Sequence, residues 1–257
     1  MLSKSSQKQY LKKRTKKLLR SYHLFNEFEN PEDLHKMRLE FKKISSLVTF
    51  LTLININPKL KKQLNAIRPI FKKAGLVRMA QLNLNLADKH ELTDIEMIEM
   101  QNAVLDNHLM EFRMNYYDNT EKLSRSLKKI NRGIVRISEK DIKIFYKNQI
   151  NVLADLLKSA DIETVLHECR KRIKNLIYTY RLMPTKLKNR VYLNVDYLDE
   201  IQEEIGEWHD LAEAIILFEK HDSKHIANIA ILHIHSEIKL EEIQRLVNHF
   251  KIKVKAK

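Results

Sequence analysis

The chain has 257 residues, with 47 Lys and Arg against 33 Asp and Glu and a formal net charge of +14. Hydrophobic residues at 44% are ample for a core and exclude a disordered or collagen-like chain, while three Gly and four Pro are too few for tight-turned sheets or phosphate-cradling glycine loops. A single cysteine, Cys169, excludes an internal disulfide framework and a cysteine-built zinc site, and suits a reducing compartment.

The first ten residues, MLSKSSQKQY, contain no apolar run of the signal-peptide type, and the longest apolar stretch, Ile226 to Ile234, is interrupted by Asn228 and His233. No membrane span is expected, and the chain reads as cytoplasmic and all-α. Helical periodicity predicts helices over 6–28, 31–54, 59–87, 91–131 with a break allowed near Asp118, 139–158, 162–183, 195–220 and 223–252. Asn30-Pro31-Glu32-Asp33 is a helix start, with Asn as cap, Pro at the first position and acids in the first turn. Asp161 is expected to cap the helix beginning at Ile162, Pro58 and Pro184 mark breaks, and Gly133 sits where one half can pass to the next. Charge is segregated along these elements. Lys4 to Arg20 holds eight cations and no acid, whereas Asp196 to Glu213 holds eight acids and no Lys or Arg. The excess of positive charge points to a polyanionic partner.

A pattern recurs at long range. Leu34-His35-Lys36-Met37-Arg38-Leu39-Glu40-Phe41-Lys42 returns 132 residues later as Leu166-His167-Glu168-Cys169-Arg170-Lys171-Arg172-Ile173-Lys174, sharing L-H-x-x-R-x-x-x-K. Gly75-x-x-Arg78 likewise faces Gly206-x-x-His209 at an offset of 131. Such ordered succession implies a duplication, with halves 1–131 and 132–257, each an antiparallel four-helix bundle. On a helical wheel His35, Arg38, Lys42 and Ser46 fall within about 60° of one another, opposite Leu34, Met37, Phe41, Ile44, Val48 and Leu51. In the second copy His167, Arg170, Lys171, Lys174, Tyr178 and Arg181 form one stripe, and Leu166, Cys169, Ile173, Leu176, Tyr180 and Met183 form the apolar one.

At these residues the chain resembles the CHAD domains, the conserved-histidine α-helical domains. That family has duplicated helical halves, each with an H-x-x-R-x-x-x-[KR] helix followed by a helix carrying L-G-x-x-[RH]-D. The first motif reads here as His35, Arg38, Lys42 and Lys43, and again as His167, Arg170 and Lys174, with Leu176 and Tyr178 also fitting. The second reads as Ile205-Gly206-Glu207-Trp208-His209-Asp210 and, less closely, as Ala74-Gly75-Leu76-Val77-Arg78-Met79. Departures fall at Ser45 and Ile177, where a further basic residue is common, at Met79 in place of Asp, and at Asn175 opposite Lys43. The resemblance covers nearly the whole chain, as one CHAD-like domain over 1–257 without the triphosphate-tunnel enzyme domain that often accompanies it. It implies binding of inorganic polyphosphate on a basic surface, with association with polyphosphate granules. The motifs and the basic stripes together assign to that surface His35, Arg38, Lys42, Lys43, Arg78, His167, Arg170, Lys171, Lys174, Tyr178, Arg181 and His209.

The chemistry of such a ligand suits these side chains. Polyphosphate carries about one charge per unit, so a row of Lys and Arg neutralises many units and releases counterions, as in nucleic-acid binding. Arg offers forked donors, Lys a point charge, and His a donor whose charge an anion can induce. Aromatic residues are 7% and fall mostly on core faces, which leaves little for bases to stack on and ranks polyphosphate above RNA or DNA as partner. Neither a P-loop nor G-x-G-x-x-G nor G-x-S-x-G occurs, so no enzymatic activity and no cofactor is expected. His221/His225 and His233/His235 have spacings that favour solvated or capping roles, so no metal site is expected. Nucleic-acid binding is the alternative reading, and a structural adaptor using the acidic 196–213 helix is a third.

Overall fold

The computed structural model describes the chain except residues 55, 56, 58, 90–94, 160, 222–225 and 256–257, and except the side chains of residues 220, 221 and 226–228. The expected break at Pro58, the helix starts at 91 and 223, and the His221/His225 pair thus lie outside the described residues. The chain divides into two compact units, Met1–Ile137 and Ser138–Lys257. Among the described residues there are helices and no strand. Among them one β-bridge joins Leu2 to Ile137.

Unit 1 contains α1 (Lys4–Phe28), α2 (Pro31–Leu53), α3 (Lys59–Lys89), α4 (Ile95–Met114) and α5 (Tyr116–Arg132). Asn30 caps α2 as expected, its side chain accepting from the Glu32 N–H at 2.9 Å, with Pro31 at the first position. The long predicted helix over 91–131 breaks at Asn115, three residues before Asp118. α1 packs along α2, α2 along α3, α3 along α5 and α5 along α1, so these four close a ring, and α4 also lies on α3. The apolar stripe of α2 is buried from Leu34 to Leu51, as are Leu11, Leu18, Tyr22 and Phe25 of the neighbouring α1. Such burial of a 3.6-residue stripe is the main stabilising term for an amphipathic helix.

Unit 2 contains α6 (Glu139–Leu156), α7 (Ile162–Leu182), α8 (Thr185–Val191), α9 (Val195–His221), α10 (Ile226–Val247) and α11 (Phe250–Lys253). Asp161 stands at the start of α7, but its side chain makes no capping hydrogen bond. Pro184 does mark a break, and the short α8 that follows it has too few residues for periodicity to declare. Likewise the predicted 223–252 helix stops at Val247, because His249 takes a left-handed conformation with φ 59° and α11 folds back. There the Asn194 N–H donates to the Val254 carbonyl at 2.9 Å, tying the end of the chain to the start of α9. The apolar stripe of α7 is buried at Leu166, Cys169, Ile173, Leu176 and Met183, whereas Tyr180 is only half-buried, its hydroxyl 3.4 Å from the Lys188 carbonyl.

Candidate functional site

In each unit one helix pair, α2/α3 in the first and α7/α9 in the second, carries the repeated residues. The strongest correspondence is an arginine laid over a glycine. Arg38 Nη1 donates to the Phe71 carbonyl at 2.9 Å, one turn before Gly75, and Arg170 Nε donates to the Gln202 carbonyl at 3.1 Å, one turn before Gly206. A Cβ on Gly75 would lie 2.8 Å from Arg38 Nη1, and one on Gly206 would lie 2.9 Å from Arg170 Cζ. Glycine in mid-helix, where it costs roughly 1 kcal/mol relative to alanine, leaves the space of its side chain to a guanidinium from the neighbouring helix. The compensation for Gly75 and Gly206 is thus an arginine that bolts two helices together.

Around that bolt the first unit gathers positive charge. Arg38 stacks over the Phe71 ring at 4.4 Å, and Phe71 stacks in turn on Phe41 with ring centroids 4.5 Å apart. Burial, and then the nearness of Arg78, holds Arg38 below the usual guanidinium range. His35 is likewise lowered below the usual imidazole value, first by burial and then by Arg78, with Lys42 and Arg38 acting in the same sense and Glu32 against them. The structure therefore brings His35, Arg38, Lys42 and Arg78 together, with Lys42 and His35 exposed to solvent. Lys43 points elsewhere: its Nζ lies 2.8 Å from Glu40, which also takes Arg14 of α1 at 3.2 Å. Glu40 is 5% exposed, a buried carboxylate between two cations in the α1/α2 seam. Ser46, placed on the basic stripe by periodicity, is buried and donates to the Lys42 carbonyl at 2.9 Å.

The second unit repeats the plan with acids added. The His167 and His209 rings meet edge to face at 5.3 Å, so His209 stands to His167 as Arg78 stands to His35. His167 is lowered by burial, then by Lys171, His209 and Arg170. Lys174 is lowered to about 8, chiefly by burial and then by Arg170, while Asp199, Asp210 and Glu203 of α9 oppose the shift. Burial holds Arg170 down as well, and Asp210 and Tyr178 act in the other direction. Arg181 is committed to an ion pair with Asp199, and Tyr178 is half-buried. Lys171 is exposed.

Sequence reasoning missed the Arg14–Glu40–Lys43 group and the faces of Phe71 and Phe41. The one signal for the former was an acid at position 40 on an otherwise apolar side of α2. The acidic run of α9, segregated along the chain, is partly neutralised in space. Glu204 and Glu207 flank Lys239 of α10 at 2.8 and 2.9 Å, and Glu213 lies 3.7 Å from His209. The Cys169 thiol is buried and pushed up to about 11. Among the described residues no group of three His, Cys, Asp or Glu is arranged to hold a metal ion, and His233 instead lies 3.1 Å from Glu219. Among the same residues no helix is long and apolar enough to cross a membrane.

No family model matches the chain, and no curated protein matches it significantly. A solved structure does: the crystal structure of the CHAD domain from the plant Ricinus communis, with a TM-score of 0.59 over 95% of this chain and 90% of that one, at 14% identity. The chain has the all-helical CHAD fold.

Proposed function

We propose that the chain binds inorganic polyphosphate at the two repeated motifs, without catalysing a reaction. The observation that carries this reading is the gathering of His35, Arg38, Lys42 and Arg78 from two helices at one place, with Glu32 the only carboxylate among the neighbours that act on His35. Clustered cations repel one another and are partly desolvated, so the arrangement is stabilised by an anion that meets several of them at once. A polymer of phosphates does this better than a single phosphate, since each unit brings a further charge and releases further counterions. The resemblance of the two motifs to CHAD domains supports the identity of that polymer, and the CHAD fold agrees with it. The same residues are proposed to act in pairs: Lys42, Arg78, Lys171 and Lys174 as charge donors, and His35, His167 and His209 as inducible ones. Arg38 and Arg170 hold the helices in place and present their remaining N–H groups.

The test is a competition assay at physiological salt, with labelled long-chain polyphosphate on the protein and unlabelled polyphosphate, RNA and heparin as competitors. The proposal expects polyphosphate to displace the probe at a concentration of phosphate units well below that of RNA or heparin. Equal competition by all three polymers would reduce the site to a generic basic surface.

A further inference from the structure

The repeated motifs do not account for where the net charge resides. Lys4 to Arg20 and Lys122 to Arg136 together hold fourteen Lys and Arg and no acid, which leaves 33 cations against 33 acids in the rest of the chain. The entire excess of +14 therefore sits on these two segments, which lie in α1, in α5 and in the few residues after α5. Both helices belong to unit 1, where they lie side by side. Gln7 Nε2 donates to the Val135 carbonyl at 2.7 Å and Leu2 exchanges two backbone hydrogen bonds with Ile137, while at the other end the Tyr22 and Tyr116 rings are 5.1 Å apart. The helices are thus antiparallel. This pairing sets Lys8 level with Arg132, Lys12 with Lys128 and Lys129, and Lys16 with Arg125.

Lys4, Lys8, Lys12 and Lys16 recur every fourth residue and share one flank of α1, a row about 20 Å long beside the basic α5. Arg14 is taken by Glu40, and Arg125 by Glu121. Among the described residues no carboxylate pairs with Lys8, Lys12, Lys16, Lys128, Lys129 or Arg132. Successive cations are nearer one another than the screening length of about 8 Å at physiological salt, so their repulsion persists in solution. In the ring α1–α2–α3–α5 this seam lies opposite the α2/α3 seam that carries His35 and Arg78.

The Tyr22 end of the seam adjoins a cleft of about 590 Å³ between the end of α1 and the α4/α5 junction. Leu109, Met110, Met114, Tyr116 and Tyr117 form its apolar side, and Asn26, Asp106 and the Glu29–Arg113 ion pair form its polar side. Tyr117 is 85% exposed, and the Tyr116 hydroxyl is 3.0 Å from His23 Nδ1. A chain of phosphates alone gains nothing from the aromatic side of this cleft and is repelled by Asp106, whereas a nucleobase has a face for tyrosine and an edge for Asn26.

We propose that the α1/α5 seam is a second binding groove, for single-stranded nucleic acid, with the phosphodiester backbone along the cations of the two helices and a base in the Tyr116/Tyr117 cleft. The test is fluorescence anisotropy of the full chain with a labelled twelve-nucleotide oligoadenylate RNA at physiological salt, beside labelled polyphosphate. Lys12→Glu with Lys129→Glu should weaken RNA binding by about tenfold or more and make its salt dependence shallower. The neutral pair Lys12→Gln with Lys129→Gln should do the same to a lesser degree, at an unchanged melting temperature. Tyr117→Ala should weaken RNA binding by about fivefold and leave polyphosphate binding as it was. Lys42→Glu with Lys171→Glu, directed at the repeated motifs, should spare RNA binding, so the two sites stand or fall separately. RNA affinity indifferent to both α1/α5 pairs, or lost equally with the Lys42/Lys171 pair, overturns the groove. RNA affinity indifferent to Tyr117→Ala overturns the nucleic-acid assignment and leaves a surface that reads charge alone.

Discussion

Two residues of each repeat do different work from the rest. Arg38 and Arg170 occupy the space where Gly75 and Gly206 would carry a side chain, so arginine and glycine form one packing unit. Gly206→Leu should destabilise unit 2 by about 1–3 kcal/mol through overpacking. Arg170→Ala should destabilise it through a lost bond to Gln202. The double variant should lose less than the sum, because the leucine then enters the vacated space. Chemical denaturation of the four proteins measures the coupling, and strict additivity would mean that arginine and glycine are independent. The histidines make a second prediction. His35 and His167 are lowered below 6.5 in the free protein by burial, reinforced by Arg78 and Lys171 respectively. A folded-state value below the unfolded one gives stability that is present above pH 6.5 and is lost as pH falls through the folded value. A bound polyanion favours the charged imidazole, so binding should take up protons and affinity should rise as pH falls through and below 6.5. Calorimetry in two buffers of different ionisation enthalpy counts those protons, and His35→Gln with His167→Gln should bring the count close to zero.

At the scale of helices, the two units differ through one position. α9 carries Asp210 one turn after Gly206, where it acts on Arg170 and Lys174, and α3 carries Met79 at the corresponding place after Gly75. The missing acid leaves burial and Arg78 as the influences on Arg38 and makes the motif of unit 1 the more positive of the two. Met79 is 49% exposed, so an acid is tolerated there. Met79→Asp should lower polyphosphate affinity severalfold, and Asp210→Met should raise it, as read by titration at constant ionic strength. No change in either would show that these local fields do not govern binding. The α2 and α7 stripes were legible because burial of one face imposes a 3.6-residue period, and Leu34 through Leu51 follow it. What periodicity could not supply was the direction of individual long side chains. Lys43 turns to Glu40, Arg181 to Asp199, and Ser46 is covered, although all three lie near the basic stripe on a wheel. The kink at Asn115 and the short α8 and α11 were also hidden, since a few residues of irregular backbone leave no periodic trace.

For the molecule as a whole, the 132-residue repeat was readable because both copies keep the same arginine–glycine geometry, which tolerates few alternatives. The distribution of the net charge needed the fold: α1 is basic along the chain, but only its antiparallel pairing with α5 sets two basic helices side by side. The central claim is that the repeated motifs bind polyphosphate by position, over and above overall charge. Arg38 and Arg170 are unsuited to test it, because replacing them also unbolts the helices. The direct measurement compares Lys42→Glu with Lys171→Glu, exposed residues of the motifs, against Lys62→Glu with Lys186→Glu, exposed residues outside them, in polyphosphate affinity at physiological salt. Both pairs change the net charge equally. The account predicts a loss of about tenfold or more for the first pair and a small loss for the second. Equal losses would contradict it.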